Sequence, residues 1–289
     1  MQITAEVKLD SVSPEGIRLT TMEVTYPRFI HAEFMTHRVF SRNSASSRAI
    51  PVKKQLEKIK NDPAMPIRFG TNQPGMQAGP PLVDYAEYLA YEDWRDAADS
   101  AATHAEYLQR HNIHKEVTNR ILEPFMWHTV IVTAVDFENF FNQRCSPLAQ
   151  PEIEALANAM REAYNYTRPT VLHHGGWHMP YLQEDELDLA LEVRIRISAA
   201  RCARVSYLTQ NGVRDYSEDL NLFSRLVDAD PPHYSPLEHV ATPFVEGLNP
   251  GGNFVEFMPV SADRDDNILY RPKGWAQLRH NMETLYAMV

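Results

Sequence analysis

The stretch Phe34-Met35-Thr36-His37-Arg38-Val39-Phe40-Ser41-Arg42-Asn43-Ser44-Ala45-Ser46-Ser47-Arg48-Ala49-Ile50 carries the least ordinary chemistry of the chain. Between Arg28 and Arg48 lie four arginines, two histidines and a single acid, Glu33, whereas the whole chain has a formal net charge of −10. Arginine forks beside hydroxyl and amide donors, here Thr36, Ser41, Asn43, Ser44, Ser46 and Ser47, match the geometry of phosphate oxygens. The run is too short for a nucleic-acid groove and lacks interleaved stacking aromatics. An acidic chain also repels nucleic acid away from its basic patches. A small phosphorylated ligand fits better. On composition alone, a solvated basic loop with a cluster of helix-capping serines accounts for the same residues equally well.

Outward from this stretch the periodicity predicts an α+β fold. Ile3, Ala5, Val7 and Leu9 alternate with polar residues, which predicts a half-buried strand over 2–10. Ser13, Pro14, Glu15 and Gly16 make a turn, and a second strand from Ile17 to Tyr26 ends at Pro27, so the pair forms a hairpin. Helical spacing is expected from Phe29 to Phe40, and Val52, Leu56 and Ile59 predict a short helix before Asn61. Residues 61–83, with five prolines, form a long loop. Tyr85, Tyr88, Leu89, Ala98, Ala101, Ala105 and Leu108 then fall on one helical face. Further helices are expected over 114–129, 136–143 and 150–165, the last with Pro151 at its first position, and again over 195–204 and 217–228, with Ser217 as N-cap. Residues 166–192 and 229–273 read as irregular.

The bulk composition is that of a globular protein. With 289 residues, 44% hydrophobic and 23% charged, the chain is long enough for a sizeable core, and about 150 residues per domain allows one or two domains. Without an internal repeat or a low-complexity tract, a single domain over 1–289 is expected: strands and basic stretch in 1–60, a helical part in 84–165 and a last block in 194–289. Cys145 and Cys202 are too few for a disulfide framework and fit a reducing compartment. No signal-peptide core or membrane-length apolar run is present, so a cytoplasmic protein without membrane contact is expected.

The string from Thr36 to Arg48 resembles the signature of the flavin-dependent thymidylate synthases (ThyX): Arg-His-Arg, two residues, Ser, one residue, Asn, two residues, Ser, one residue, Arg, with Thr36 in place of the leading arginine. Three further blocks are similar to that family: Glu116–Pro124, Asn139–Arg144 with Ala149–Ile153, and Ala199–Ser206 with Ser235–His239. Gly252-Asn253-Phe254 and Gly274–Arg279 resemble C-terminal pieces of longer, phage-type members. In the ordinary family the serine and histidine block precedes the signature. Here it follows, at 197–244, so a circularly permuted chain order is expected, a change that is cheap when termini lie close together at a surface.

The resemblance implies a ThyX-like fold, a small twisted antiparallel sheet with surrounding helices, and a reaction. FAD passes the methylene carbon of methylenetetrahydrofolate to dUMP and completes the methyl group of dTMP, with NADPH as reductant. No enzyme thiolate takes part, which leaves Cys145 and Cys202 as packing residues. By the same resemblance His37, Arg38, Ser41, Asn139, Ser206 and His239 hold FAD. Glu33, Ser46, Ser47, Arg48, Arg120 and Arg144 face the nucleotide, and Arg144, His239 and Arg48 are the candidate catalytic groups. The resemblance further implies a homotetramer with shared active sites, located in the host cytoplasm if phage-encoded.

Several positions depart from the family pattern: Thr36 for arginine, with Arg42 as a nearby substitute, Ser44 for glutamate, Thr133 for asparagine and Leu148 for histidine. Glu33 stands where a glutamine is usual, and a carboxylate accepts hydrogen bonds without donating. These changes motivate two alternatives, hydroxymethylation or methylation of another pyrimidine deoxynucleotide, and a nucleotide-binding homologue without catalysis. His173, His174 and His178 match no zinc template, so no metal is expected, and Trp177–Tyr181 reads as a packed loop or subunit contact. Asp96, Asp99 and Glu106 read as a solvated helix face, and Gly251-Gly252 is too isolated for a phosphate loop.

Overall fold

A computed structural model describes residues 1–207, 215–243 and 274–279, with backbone only at 206 and 207. Strands β1 (Thr4–Val12) and β2 (Arg18–Pro27) form the expected antiparallel hairpin. Its turn is closed by the Ser13 N–H on the Ile17 carbonyl at 2.9 Å and holds Gly16 at φ +80°, which glycine adopts without a Cβ clash. The register shifts between Val7 and Leu9, interrupting the alternation expected from Ile3 to Leu9. Just beyond the shift the buried Asp10 carboxylate accepts from Arg18 at 2.6 and 2.9 Å and from Thr20 at 2.9 Å.

The helix expected over 29–40 is cut short. A 3-10 turn over Arg28–Ile30 leads into α1 (His31–Phe34), and turns follow. The cause lies in the signature itself: Arg42 Nη1 donates to the carbonyls of Phe34 and His37, both at 3.2 Å, occupying acceptors that a continued helix would use internally. The polar run after Phe40 then forms a strand, β3 (Ser41–Ser44). Helix α2 (Val52–Asn61) falls where expected. In α3 (Asp84–Arg110) the buried face is Ala98, Ala102 and Ala105, whereas Tyr85, Tyr88 and Leu89 are exposed, so the face predicted from spacing holds only for its second half.

The largest correction concerns 114–129. Only the turn α4 (Lys115–Thr118) and a 3-10 segment Asn119–Phe125 are helical, and β4 (Trp127–Ala134) occupies the rest and runs on. Pro124 removes a helix donor, and the β-branched run Thr129-Val130-Ile131-Val132-Thr133 suits a strand buried on both faces. Helices α5 (Glu138–Arg144) and α6 (Pro151–Tyr166) match expectation, the latter with Pro151 in its first turn. A short strand β5 (Thr170–Val171) precedes α7 (Leu191–Tyr207) and α8 (Tyr216–Val227). The N-cap of α8 is Asp215, not Ser217: its carboxylate accepts from the backbone N–H of Ser217 at 2.8 Å and Glu218 at 3.3 Å. A 3-10 turn over Ser235–His239 leads to β6 (Ala241–Pro243), which pairs with β7 (Trp275–Gln277).

The main sheet has the order β3-β4-β2-β1-β5. Its first four strands are antiparallel as expected, and β5 adds a two-residue parallel edge to β1. One face buries Met22, Val24, Tyr26, Val130 and Val132 against Phe34, Phe40, Phe140 and α6. Each such side chain contributes about 1.5–3 kcal/mol on burial. The other face packs Ile131 on Cys202 and Val205 of α7, so the block that follows in sequence is seated on the sheet beside the signature. The Asn43 amide fixes that seat by donating to the Cys202 carbonyl at 2.7 Å. Burial pushes both the Cys202 and the Cys145 thiol up, in keeping with packing roles. No helix among the described residues is long and apolar enough to cross a membrane.

Candidate functional site

Three polar groups gather around the signature, and each joins residues distant in sequence. The first is built on α5. Phe140 and Arg144, four residues apart on one helix face, both meet His37: the rings of Phe140 and His37 stand edge-on at 4.8 Å, and Arg144 Nε donates to His37 Nε2 at 3.0 Å. Arg144 Nη1 also ion-pairs with Glu33. Burial, reinforced by the Arg144 and Arg42 cations, lowers the His37 pKa to about 4, so the ring is neutral near pH 7. With Nε2 accepting from Arg144, the ring proton sits on Nδ1 and remains available to donate. Thr36 is exposed and its hydroxyl turns back to the Glu33 carbonyl at 2.7 Å. Arg42, the expected substitute for a missing arginine at Thr36, holds loop carbonyls instead.

The second group centres on Glu123. Its Oε1 accepts from the Ser47 hydroxyl at 2.6 Å and from Arg120 at 2.9 Å, and lies 3.1 Å from Arg28. Burial pushes this carboxyl up, but the Ser47 hydrogen bond and the charges of Arg28 and Arg120 outweigh it and hold the pKa below the ordinary glutamate value. The Asn119 amide donates to the carbonyls of Ser47 at 2.7 Å and Ile50 at 2.9 Å, fixing the loop that carries Ser46, Ser47 and Arg48. Arg48 is exposed, 3.7 Å from Glu116. A cleft of about 380 Å³ opens here, lined by Ser44, Ser46 and Arg48 on one side and by Ala203, His233 and Ser235 on the other. The serine end of the signature and the later histidine block therefore share one wall-to-wall space.

The third group is a buried chain of hydrogen bonds across the sheet. Ser11 Oγ meets His178 Nδ1 at 2.8 Å, His178 Nε2 meets Thr21 Oγ1 at 2.8 Å, Thr21 meets Thr133 Oγ1 at 2.7 Å, and Thr133 meets His239 Nδ1 at 2.8 Å. The five residues are almost fully buried, and His239 Nε2 has no partner among the described residues. Burial lowers the pKa of both histidines to about 3, with mutual repulsion adding to the effect at His178, so both rings are neutral.

The remaining predicted residues are placed as follows. Ser41 Oγ accepts from Gln277 at 2.9 Å, and Gln277 also donates to the Glu238 carbonyl at 2.8 Å, which ties the segment 274–279 to β3. Arg38 is exposed and forms no ion pair among the described residues. Asn139 is exposed, its amide oxygen accepting from Gln143 at 3.2 Å. The side chain of Ser206 and the Gly252-Asn253-Phe254 piece lie outside the described residues. Sequence reasoning did not single out Glu123 or Thr21, and it weighed His178 only as a metal ligand or part of a packed loop. Glu123 carried a signal, standing three residues after Arg120 as an acid beside a basic patch. The pairing of Thr21 with His178 carried none, because only the tertiary fold makes them neighbours.

The family model described as thymidylate synthase complementing protein matches residues 13–170, just over half of the chain. The chain belongs to that family. The match contains the signature, Arg120 and Arg144 and ends before the block at 197–244. Two solved structures of the UMP/dUMP methylase PolB from Streptomyces cacaoi, one bound with 5-Br UMP and one with 5-Br dUMP, are similar to this chain with a TM-score of 0.45 and 16% identity. The likeness covers 56% of this chain and 88% and 90% of theirs. No curated protein sequence matches the chain.

Proposed function

We propose that the protein is a flavin-dependent thymidylate synthase, transferring a methylene group from methylenetetrahydrofolate to C5 of dUMP and reducing it through FAD to give dTMP, with NADPH as reductant. The observation that carries this reading is the convergence of Arg144 on His37 and Glu33. It joins a residue of the second arginine block to the signature, and these are the segments assigned by resemblance to nucleotide and flavin.

The residues present fit a flavin. Among the described residues Arg38 is an exposed cation without an ion pair and the buried His239 Nε2 has no partner, and His37 keeps an Nδ1–H to donate. When bound, reduced FAD supplies the hydride that completes the methyl group. In this reading His37, Arg38, Ser41, Asn139, Ser206 and His239 hold it. Ser46, Ser47 and Arg48 hold the nucleotide phosphate, with Arg120 and Arg144 also on the nucleotide. Arg144 stabilises the negative charge that develops in the pyrimidine ring. Because Glu33 and His37 already orient its guanidinium, little reorganisation is needed at the moment of reaction. Cys202, buried and with its thiol pushed up, has no part in such a reaction.

A second reading keeps the fold and flavin and changes the product to a hydroxymethylated dUMP or another methylated pyrimidine nucleotide. The observation favouring it is that Glu33, an acceptor only, is paired with the very arginine assigned to the base. The test is purification with and without added FAD, inspection for flavin absorbance near roughly 450 nm, then incubation with dUMP, methylenetetrahydrofolate and NADPH and mass analysis of the nucleotide. A dTMP product supports the first reading, and a product one oxygen heavier selects the second. Absence of bindable flavin overturns both and leaves a nucleotide-binding homologue. Arg48→Ala is expected to weaken nucleotide binding far more than flavin binding. The same reading expects a homotetramer, measurable by analytical ultracentrifugation.

A further inference from the structure

Between the start of β4 and α2 lies a second cavity, of about 370 Å³, lined by none of the residues given a nucleotide or flavin role above. Its size is within the range of small-molecule sites. Two polar side chains on its wall lack partners among the described residues. The Gln55 side chain is 2% exposed and has no partner among the described residues. The half-buried Lys58 forms no ion pair among the described residues, and neither does the more exposed Lys54 beside it. Of the two acids on the wall, Asp62 is taken by the amino group of Met1 and Glu57 stands on the exposed rim.

Leaving buried donors without acceptors is costly, and a cation drawn partly out of water without a counter-charge is costlier. An acceptor-rich anion takes the Gln55 N–H and the Lys58 charge together. The apolar remainder of the wall, Ile50, Ile59 and Met126, calls for an apolar body on the same ligand. We propose that this cavity binds a small ligand with an apolar body and a carboxylate or phosphate group, whose oxygens accept from Gln55 and Lys58. Burial first, and the neighbouring Lys54 second, lower the Lys58 pKa, a penalty that a bound anion reverses.

The test is isothermal titration of the full-length protein with phenyl phosphate, benzoate, inorganic phosphate and benzyl alcohol. At least one aromatic anion is expected to bind saturably, and its preference over the other identifies the head group. Binding is expected to weaken about tenfold in Lys58→Met and in Gln55→Leu, as loss of a charge-assisted or buried hydrogen bond requires. Lys58→Met changes a partly exposed side chain and keeps the fold, which a melting curve checks. Arg48→Ala is expected to leave this binding unchanged, which separates the cavity from the proposed nucleotide site. The proposal is overturned by absence of saturable binding, by equal binding of benzyl alcohol, or by loss in Arg48→Ala without loss in Lys58→Met. None of these outcomes depends on whether dTMP is made.

Discussion

Replacing Thr21 by Val removes one hydroxyl from the middle of the chain that runs from Ser11 to His239 and leaves the strand's shape nearly intact. Thr21 Oγ1 lies 2.8 Å from His178 Nε2 and 2.7 Å from Thr133 Oγ1, so two hydrogen bonds disappear together. His178 Nε2 is left without a partner in a fully buried residue, and Thr133 keeps only its contact with His239. A stranded buried polar group costs about 1–3 kcal/mol, so two weakened groups imply a loss of about 2–4 kcal/mol. Urea unfolding is expected to show a lower midpoint at unchanged slope. The chain makes a second, sharper demand. Each hydroxyl has one proton and two lone pairs and each neutral ring has one N–H, so an order that keeps every proton inside the chain runs all one way or all the other. The one mixed order that bonds every contact, with His178 protonated on Nε2 and His239 on Nδ1, strands a buried threonine proton. In the two orders that strand no proton, both His178 and His239 carry the proton on Nδ1, or both carry it on Nε2. Long-range 15N–1H ring correlations of the unliganded protein read this directly, and Thr21→Val is expected to release the His239 tautomer from that of His178. Opposite tautomers in the unaltered protein, or a stability loss under about 0.5 kcal/mol in Thr21→Val, would refute the reasoning.

Two further outcomes follow from the polar groups at the surface of the fold. Ser47→Ala removes a hydrogen bond from the partly exposed Glu123 and is expected to cost about 1 kcal/mol, because Arg28 and Arg120 still hold the carboxylate. The sign of the pH dependence is fixed. Glu123 has a depressed folded pKa, so its stabilisation is fully present above about pH 5 and is lost as pH falls through that depressed value. Ser47→Ala should shrink the acid-side loss, as a pH series of thermal melts will show. Asp215→Ala removes the cap of α8, with an expected cost of about 1 kcal/mol, whereas Ser217→Ala should change stability little. Comparable losses in the two variants would contradict the capping assignment.

Much of the fold was legible where one period governs one environment. The hairpin, α2, α6 with Pro151 and the later helices follow from alternation, helical spacing and turn residues. The strand β4 was misread because a strand buried on both faces has no alternation, and the helical block before it ran into it without a break. Tyr85, Tyr88 and Leu89 share the spacing of a buried face and yet are exposed, since spacing says where residues line up and not whether another element covers them.

The stretch from Phe34 to Ile50 shows the same division. By itself the sequence determined its charge, its hydroxyl and arginine spacing and its family. These are properties of residue identity and short separation along the chain. Only the tertiary structure decided which of its groups are committed. Arg42 is spent on the loop backbone, Ser47 on Glu123, and Glu33 and His37 on an arginine more than a hundred residues away. It also decided that His239 ends a buried chain begun at Ser11, and that Gln55, Trp127 and Lys58 share one cavity. Hydrogen bonds and desolvation act over a few ångströms of space, and sequence order does not record that distance.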